Sequence, residues 1–159
     1  MQVREVMTTD VAVCEPVTNA ARAAETMWTH DWGILPVLEE GGHLVGIVTD
    51  RDLFIALGTQ DRRASEVPVD QVMHRQPAAC MPGDDVRNAL RIMAEHHIHR
   101  LPVVEDSGSL KGMLSINDVI ARATPGSNGT FAEDIIRTLT ATCERRRPAL
   151  DSHLSEIAR

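Results

Sequence analysis

Gly46-Ile47-Val48-Thr49-Asp50-Arg51-Asp52 returns 66 residues later as Gly112-Met113-Leu114-Ser115-Ile116-Asn117-Asp118. Each stretch runs from a glycine through two apolar residues to a hydroxyl, and three residues further to an aspartate. Apolar residues leading into a hydroxyl and an acid at that spacing mark a strand that turns directly into a helix. The same offset extends outward without insertion: Val6-Met7 matches Val72-Met73, Pro16 matches Pro82, Met27 matches Met93 and Pro36 matches Pro102. One register held over a whole unit marks an internal duplication. Two copies leave no interior repeat, which predicts halves packed face to face about a pseudo-twofold axis rather than a solenoid.

Within one copy, Val11–Cys14 reads as a short extended piece ending at Pro16, with Thr18 as a helix cap. Ala20, Ala24, Met27 and Trp28 form one helical stripe, repeated by Val86, Leu90, Met93 and Ala94 behind a cap at Asp84. Leu35–Leu38 and Leu44–Thr49 read as strands joined at Glu40-Gly41-Gly42. Leu101–Val104 and Leu110–Ser115 are their counterparts, joined around Asp106-Ser107-Gly108. A second helix runs from Arg51 to about Leu57, and from Asn117 to about Ala123. Each copy is therefore βαββα, and two strands with two helices cannot close a core alone. The expected fold is α/β (α+β): two βαββα repeats packed through their sheets about a pseudo-twofold axis, plus a helical C-terminal tail. The expected boundaries are 1–58 for the first repeat, 59–70 for a polar linker, 71–123 for the second repeat and 124–159 for the C-terminal extension. In that extension Phe131, Ile135, Ile136, Leu139 and Cys143 make a helical stripe, and Leu150, Leu154 and Ile157 follow beyond Pro148.

The composition bounds the function. With 159 residues, 43% hydrophobic and 25% charged, the chain can bury a core without metal or disulfides. A net charge of −7 and only 3% aromatics argue against a nucleic-acid surface, which needs phosphate-neutralising cations or stacking rings. The longest apolar runs are too short to span a bilayer, and Arg4 and Glu5 fall where a secretory leader needs apolar residues. Cys14, Cys80 and Cys143 are odd in number and form no CxxC, which points to a reducing, cytoplasmic setting. Cys14 and Cys80, equivalent in the repeat, read as small buried hydrophobes.

The residues best placed for chemistry are Thr49 with Asp52 and Ser115 with Asp118. One reading is purely local: a capping box, in which the hydroxyl meets a backbone N–H and the acid reaches back. The other is a ligand site. A helix N-terminus attracts phosphate, whereas a carboxylate there repels it and suits the adjacent hydroxyls of a ribose instead. Hydroxyl and acid together thus suggest a nucleoside phosphate, and a cap can be recruited by a ligand.

The βαββα repeat, the Val-Met starts, the Leu-Pro-Val strands and the G-x-x-[TS]-x-x-D turns resemble a tandem pair of CBS domains (the cystathionine β-synthase domain, or Bateman module), over residues 5–123. The resemblance implies a pseudo-symmetric module with two clefts that bind adenosine compounds: AMP, ADP or ATP, S-adenosylmethionine, or NADH. It implies ribose contacts from Asp52 and Asp118, and ribose or phosphate contacts from Thr49, Ser115, Arg51, His99 and Arg100. Adenine would lie against Thr9 to Val11 or Arg75 to Pro77, and against Ile34, Leu35 and Leu101 at the entry to the Leu-Pro-Val strands. The first copy carries Gly33 and Ile34 where the second has His99 and Arg100, which removes the cationic pair from one cleft; Arg51 beside Asp52 supplies charge in partial compensation, where the second copy has Asn117.

His96, His97 and His99 invite a metal site, but their spacing does not set three imidazoles on one helix face, and a solvated helix end is the simpler reading. Glu144 to Arg147 reads as a charged helix end. No GxSxG, P-loop or metal triad is present, and a Cys143–His153 pair has nothing nearby to orient it. The expected function is a non-catalytic module, requiring no cofactor, that senses an adenine nucleotide and signals to an effector protein. The alternative is a ligand-free adaptor that uses the same scaffold. A homodimer is expected, with the tail bracing it or contacting a partner.

Overall fold

A computed structural model describes residues 1–122 and 129–143. Glu144 to Arg147, Leu150, His153, Leu154 and Ile157 lie outside the described residues. In order, the chain forms α1 (Ala20–His30), β1 (Ile34–Glu39), β2 (His43–Thr49), α2 (Asp50–Gln60), β3 (His74–Arg75), α3 (Val86–His96), β4 (Arg100–Val104), β5 (Leu110–Ser115), α4 (Ile116–Arg122) and α5 (Gly129–Cys143). β1 and β2 pair antiparallel with β3 added beside β2, and β4 pairs antiparallel with β5. The two repeats agree in detail. Both hairpins slip register at equivalent positions, Val37/Leu38 and Val103/Val104. Both α1 and α3 end on a left-handed residue, Asp31 and His97.

The caps of α1 and α3 differ from the sequence expectation. Asn19 and Asp85, not Thr18 and Asp84, accept from the first-turn N–H groups of Arg22 and Arg87. Thr18 and Asp84 instead close the turns one step earlier, accepting from Glu15 N at 3.0 Å and Met81 N at 2.8 Å. An oxygen-bearing side chain serves either role, and Thr18-Asn19 and Asp84-Asp85 each offer two in a row.

Each core is completed by the other repeat. The start of the chain packs into the second core, where Val3 and Val6 join Leu90, Met93, Leu101 and Leu114. The stretch expected as a polar link packs into the first, where fully buried Val67 and Val69 join Ala20, Met27, Leu35 and Val48. Burying a valine is worth about 1.5–3 kcal/mol, enough to tie down both leading segments. The backbone repeats the exchange twice over: Val69 N donates to Thr18 O at 2.8 Å, and Val3 N to Asp84 O at 2.9 Å. On the pseudo-twofold axis, Leu44 N donates to Gly108 O at 3.0 Å and Leu110 N to Gly42 O at 3.1 Å.

The leading segments then run alongside the strands that end in the two turns. His74 and Arg75 pair with Ile47 and Gly46, while Thr8 pairs with Met113. Gly46 and Gly112 permit this approach. A Cβ at Gly46 would stand 2.8 Å from the His74 carbonyl oxygen, and one at Gly112 would run into that of Thr8.

The described part of the tail packs within the chain. α5 lies along α3 of the same chain, burying Ile135 and Thr138. Thr138 Oγ1 donates to Leu90 O at 3.2 Å, and His97 Nδ1 lies 2.7 Å from Ala141 O, so this imidazole is engaged at the helix junction. Among the described residues no helix is long and apolar enough to cross a membrane.

Candidate functional site

Both strand-to-helix turns contain the capping box. The backbone N–H of Thr49 donates to Asp52 Oδ2 at 2.9 Å, its hydroxyl donates to the same oxygen at 2.6 Å, and Asp52 N donates back to Thr49 Oγ1 at 3.2 Å. In the second turn Ser115 N and Oγ donate to Asp118 Oδ2 at 2.8 and 2.5 Å, and Asp118 N donates to Ser115 Oγ at 3.1 Å. In each case the cap engages only one carboxylate oxygen. The other, Oδ1, is decided by the neighbours.

At Asp52 that oxygen faces His74, whose Nε2 lies 2.9 Å away. At Asp118 the corresponding oxygen has no protein partner among the described residues. The repeat equivalent of His74 is Thr8, too short to make the same contact. Sequence reasoning missed His74. The mismatch with Thr8 was visible, but its meeting with Asp52, 22 positions away, depends on β3 pairing with β2.

Arg100 opens β4 directly opposite Ser115, so the guanidinium and the turn share one end of the hairpin. It is exposed and has no ion pair or hydrogen bond among the described residues. His99 is also exposed, and its carbonyl accepts from Ile116 N at 3.0 Å, which fixes the start of β4 against the turn. In the first repeat the same bond runs from Asp50 N to Gly33 O at 3.1 Å, and Ile34 takes the place of Arg100 opposite Thr49. A Cβ on Gly33 would stand 3.1 Å from the Asp50 carboxylate, so an anion lies beside Gly33 where the other copy carries imidazole. Arg51 is exposed at the α2 N-terminus.

The structure also sorts the remaining expected residues. Thr9, exposed, and Val11, half-buried, follow the Thr8–Met113 bridge and belong with Ser115 and Asp118. Half-buried Pro77 follows β3 and belongs with Thr49 and Asp52. Ile34 keeps 7% of its surface, whereas Leu35 and Leu101 have none and sit in the two cores, so neither offers surface to a ligand. Both strands are buried over consecutive residues, Ile34 to Val37 and Leu101 to Val103, rather than on alternate ones.

A separate apolar groove of about 420 Å³ lies between α1 and α2, lined by Ala24, Met27, Trp28, Trp32, Phe54 and Leu57. It contains neither ribose-candidate aspartate.

The CBS domain family model matches residues 3–59 and 69–124. The CBS domain-containing protein YhcV of Bacillus subtilis is 36% identical over 117 residues, covering 74% of this chain and 81% of YhcV. Among solved structures, CBSX2 in complex with AMP is 28% identical with a TM-score of 0.66, covering 76% of this chain and 93% of that one; CBSX2 is a CBS-pair protein from Arabidopsis thaliana. The CBS domain pair of MJ0100, in complex with 5′-methylthioadenosine and S-adenosyl-L-methionine, has a TM-score of 0.69 at 22% identity, covering 76% of this chain and 94% of that one, a likeness of fold. With two matched copies, an exchanged pseudo-twofold core and both strand-to-helix turns in register, the chain belongs to the CBS domain family and carries a tandem CBS pair.

Proposed function

We propose that this protein is a non-catalytic regulatory module that binds an adenine nucleotide, of the AMP, ADP or ATP class, and passes its occupancy to a partner protein. The observation that carries the reading is the second turn. Asp118 spends one oxygen on its cap and leaves the other, with two lone pairs, without a protein partner among the described residues, at a turn whose Ser115 lies across the hairpin from Arg100. A ribose diol matches two lone pairs on one carboxylate oxygen, and a phosphate matches Arg100 with its fixed fork of donors. The solved AMP complex of CBSX2 supports adenylate as the first ligand to try.

The module acts as a homodimer in this reading. α5 covers α3 in the second repeat, while the equivalent face of α1 leaves Trp28 at 89% and Phe54 of α2 at 78% exposure. A second copy of the chain is the natural cover for such a patch.

A thermal-shift panel of AMP, ADP, ATP, S-adenosylmethionine and NADH tests the reading. A ligand at about 100 times its dissociation constant stabilises by roughly 2.7 kcal/mol, which raises the melting temperature by several degrees. No response to any member of the panel would sink the sensor and favour a ligand-free adaptor.

A further inference from the structure

The two turns have the same cap and differ in one neighbour. Asp52 Oδ2 is committed to Thr49, which leaves Oδ1 as the acceptor for any ligand, and His74 Nε2 lies 2.9 Å from it. The Asp52 side chain keeps 15% of its surface and His74 keeps 65%, so the carboxylate is mostly covered while the ring that contacts it is largely exposed. The ring is not there by chance of a loop. The backbone of His74 is paired with Ile47 in β3, which delivers the imidazole to the same place. We infer that His74 closes the Asp52 cleft to a ribose, so that one chain takes a single nucleotide, at Asp118; this rests on the nucleotide reading above.

The physical argument is one of exchange. A ribose reaching Asp52 must displace the imidazole, trading one hydrogen bond to the carboxylate for another and leaving the ring to be resolvated. At Asp118 no such partner stands among the described residues, and the diol fills an acceptor that they leave open. The first copy also lacks a cation equivalent to Arg100, with Ile34 in its place and Asp50 beside Gly33. Both differences weaken the same cleft, and they arise from separate segments, β3 and the start of β1. His74 is thus a selectivity residue: Thr in its place, as at position 8 in the other copy, restores the open form of the turn.

Calorimetric titration of the full chain with AMP, carried to millimolar concentration, tests this. The unmodified protein is expected to bind one AMP per chain, and His74→Thr two, the second at least tenfold weaker because Ile34 stands where the other cleft has Arg100. His74 is mostly exposed, and a melting temperature within a few degrees of the parent verifies that the variant folds. Adding Asp118→Asn separates the sites: alone it should weaken the single event by about 10- to 100-fold, and in the His74→Thr background it should weaken that event and leave the other unchanged. Two equal sites in the unmodified chain, or a single site in both it and His74→Thr, would overturn the inference while leaving the sensor reading intact. No heat from AMP with any of these proteins would overturn the nucleotide reading itself, and this inference with it.

Discussion

Arg100 stands opposite Ser115 with no carboxylate holding it among the described residues, and a guanidinium so placed at the mouth of a turn is available to an anion. Arg100→Ala should weaken AMP by about 10- to 100-fold, the cost of a charge-assisted hydrogen bond at about 1.5–3 kcal/mol, and leave adenosine nearly unaffected. The difference should shrink in high salt, which screens an exposed charge. Equal losses for AMP and adenosine in calorimetry would remove Arg100 from the phosphate. Asp118→Asn should weaken both ligands alike, by about 1–3 kcal/mol, because it acts through the ribose. Part of any stability loss belongs to the cap, about 1 kcal/mol, so binding and melting must be read separately. The cysteines make a different residue-scale prediction. Burial, with Glu15 nearby, pushes the Cys14 thiol from 9.0 up to about 11, and burial with Asp84 nearby pushes Cys80 to about 12. Unfolded thiols ionise first, so the stability that these protonated thiols contribute below pH 9 should be lost as pH rises toward 11–12. Near neutral pH iodoacetamide should label exposed Cys143 in the native protein, with Cys14 and Cys80 reacting only after unfolding. Rapid native labelling of all three in mass spectrometry would contradict the buried assignment.

At the scale of elements, the decisive feature is a leading segment that crosses to the other repeat. β3 exists because Gly46 lacks a side chain, and Thr8 reaches Met113 because Gly112 does. Gly112→Ala should push Thr8 off β5, costing about 1–3 kcal/mol, the usual range for overpacking, and lowering AMP affinity with it. Unchanged melting and binding would mean that the segment yields freely. α5 is the second such element. The stripe at Phe131, Ile135 and Leu139 was readable from sequence, but the surface that receives it, α3, lies more than 30 residues away along the chain and was not. Ile135→Ala should cost about 2–5 kcal/mol as a core truncation, and for a chain of this size each kcal/mol lowers the melting temperature by about 2–4 °C. A tail that merely bridges two chains would lose association and keep its melting point.

For the whole molecule, the asymmetry of the two outer faces matters more than their likeness. α3 is covered by α5, while Trp28 and Phe54 stand in the open on the other repeat. Light scattering should return twice the chain mass at micromolar concentration, and Trp28→Ser with Phe54→Ser should halve it without loss of AMP binding, as neither residue touches the Asp118 turn. A particle of single-chain mass from the unmodified protein would rule out the dimer.

The sequence alone determined the duplication, the βαββα order, the turn residues and the pairing of hydroxyl with aspartate. These are local: they rest on a fixed offset, on periodicity and on spacings of three or four residues along one chain segment. It also carried the loss of the basic pair at Gly33 and Ile34. What the tertiary structure decided is everything that depends on segments far apart: the burial of Val67 and Val69 in a stretch that reads as polar, the seating of α5 on α3, the withdrawal of Leu35 and Leu101 into the cores, and the arrival of His74 at Asp52. The physical reason is strand pairing across the pseudo-twofold axis. A pattern along the chain states that a segment has an apolar face or an open acceptor, but which distant group fills it is fixed only when the two halves exchange their leading segments.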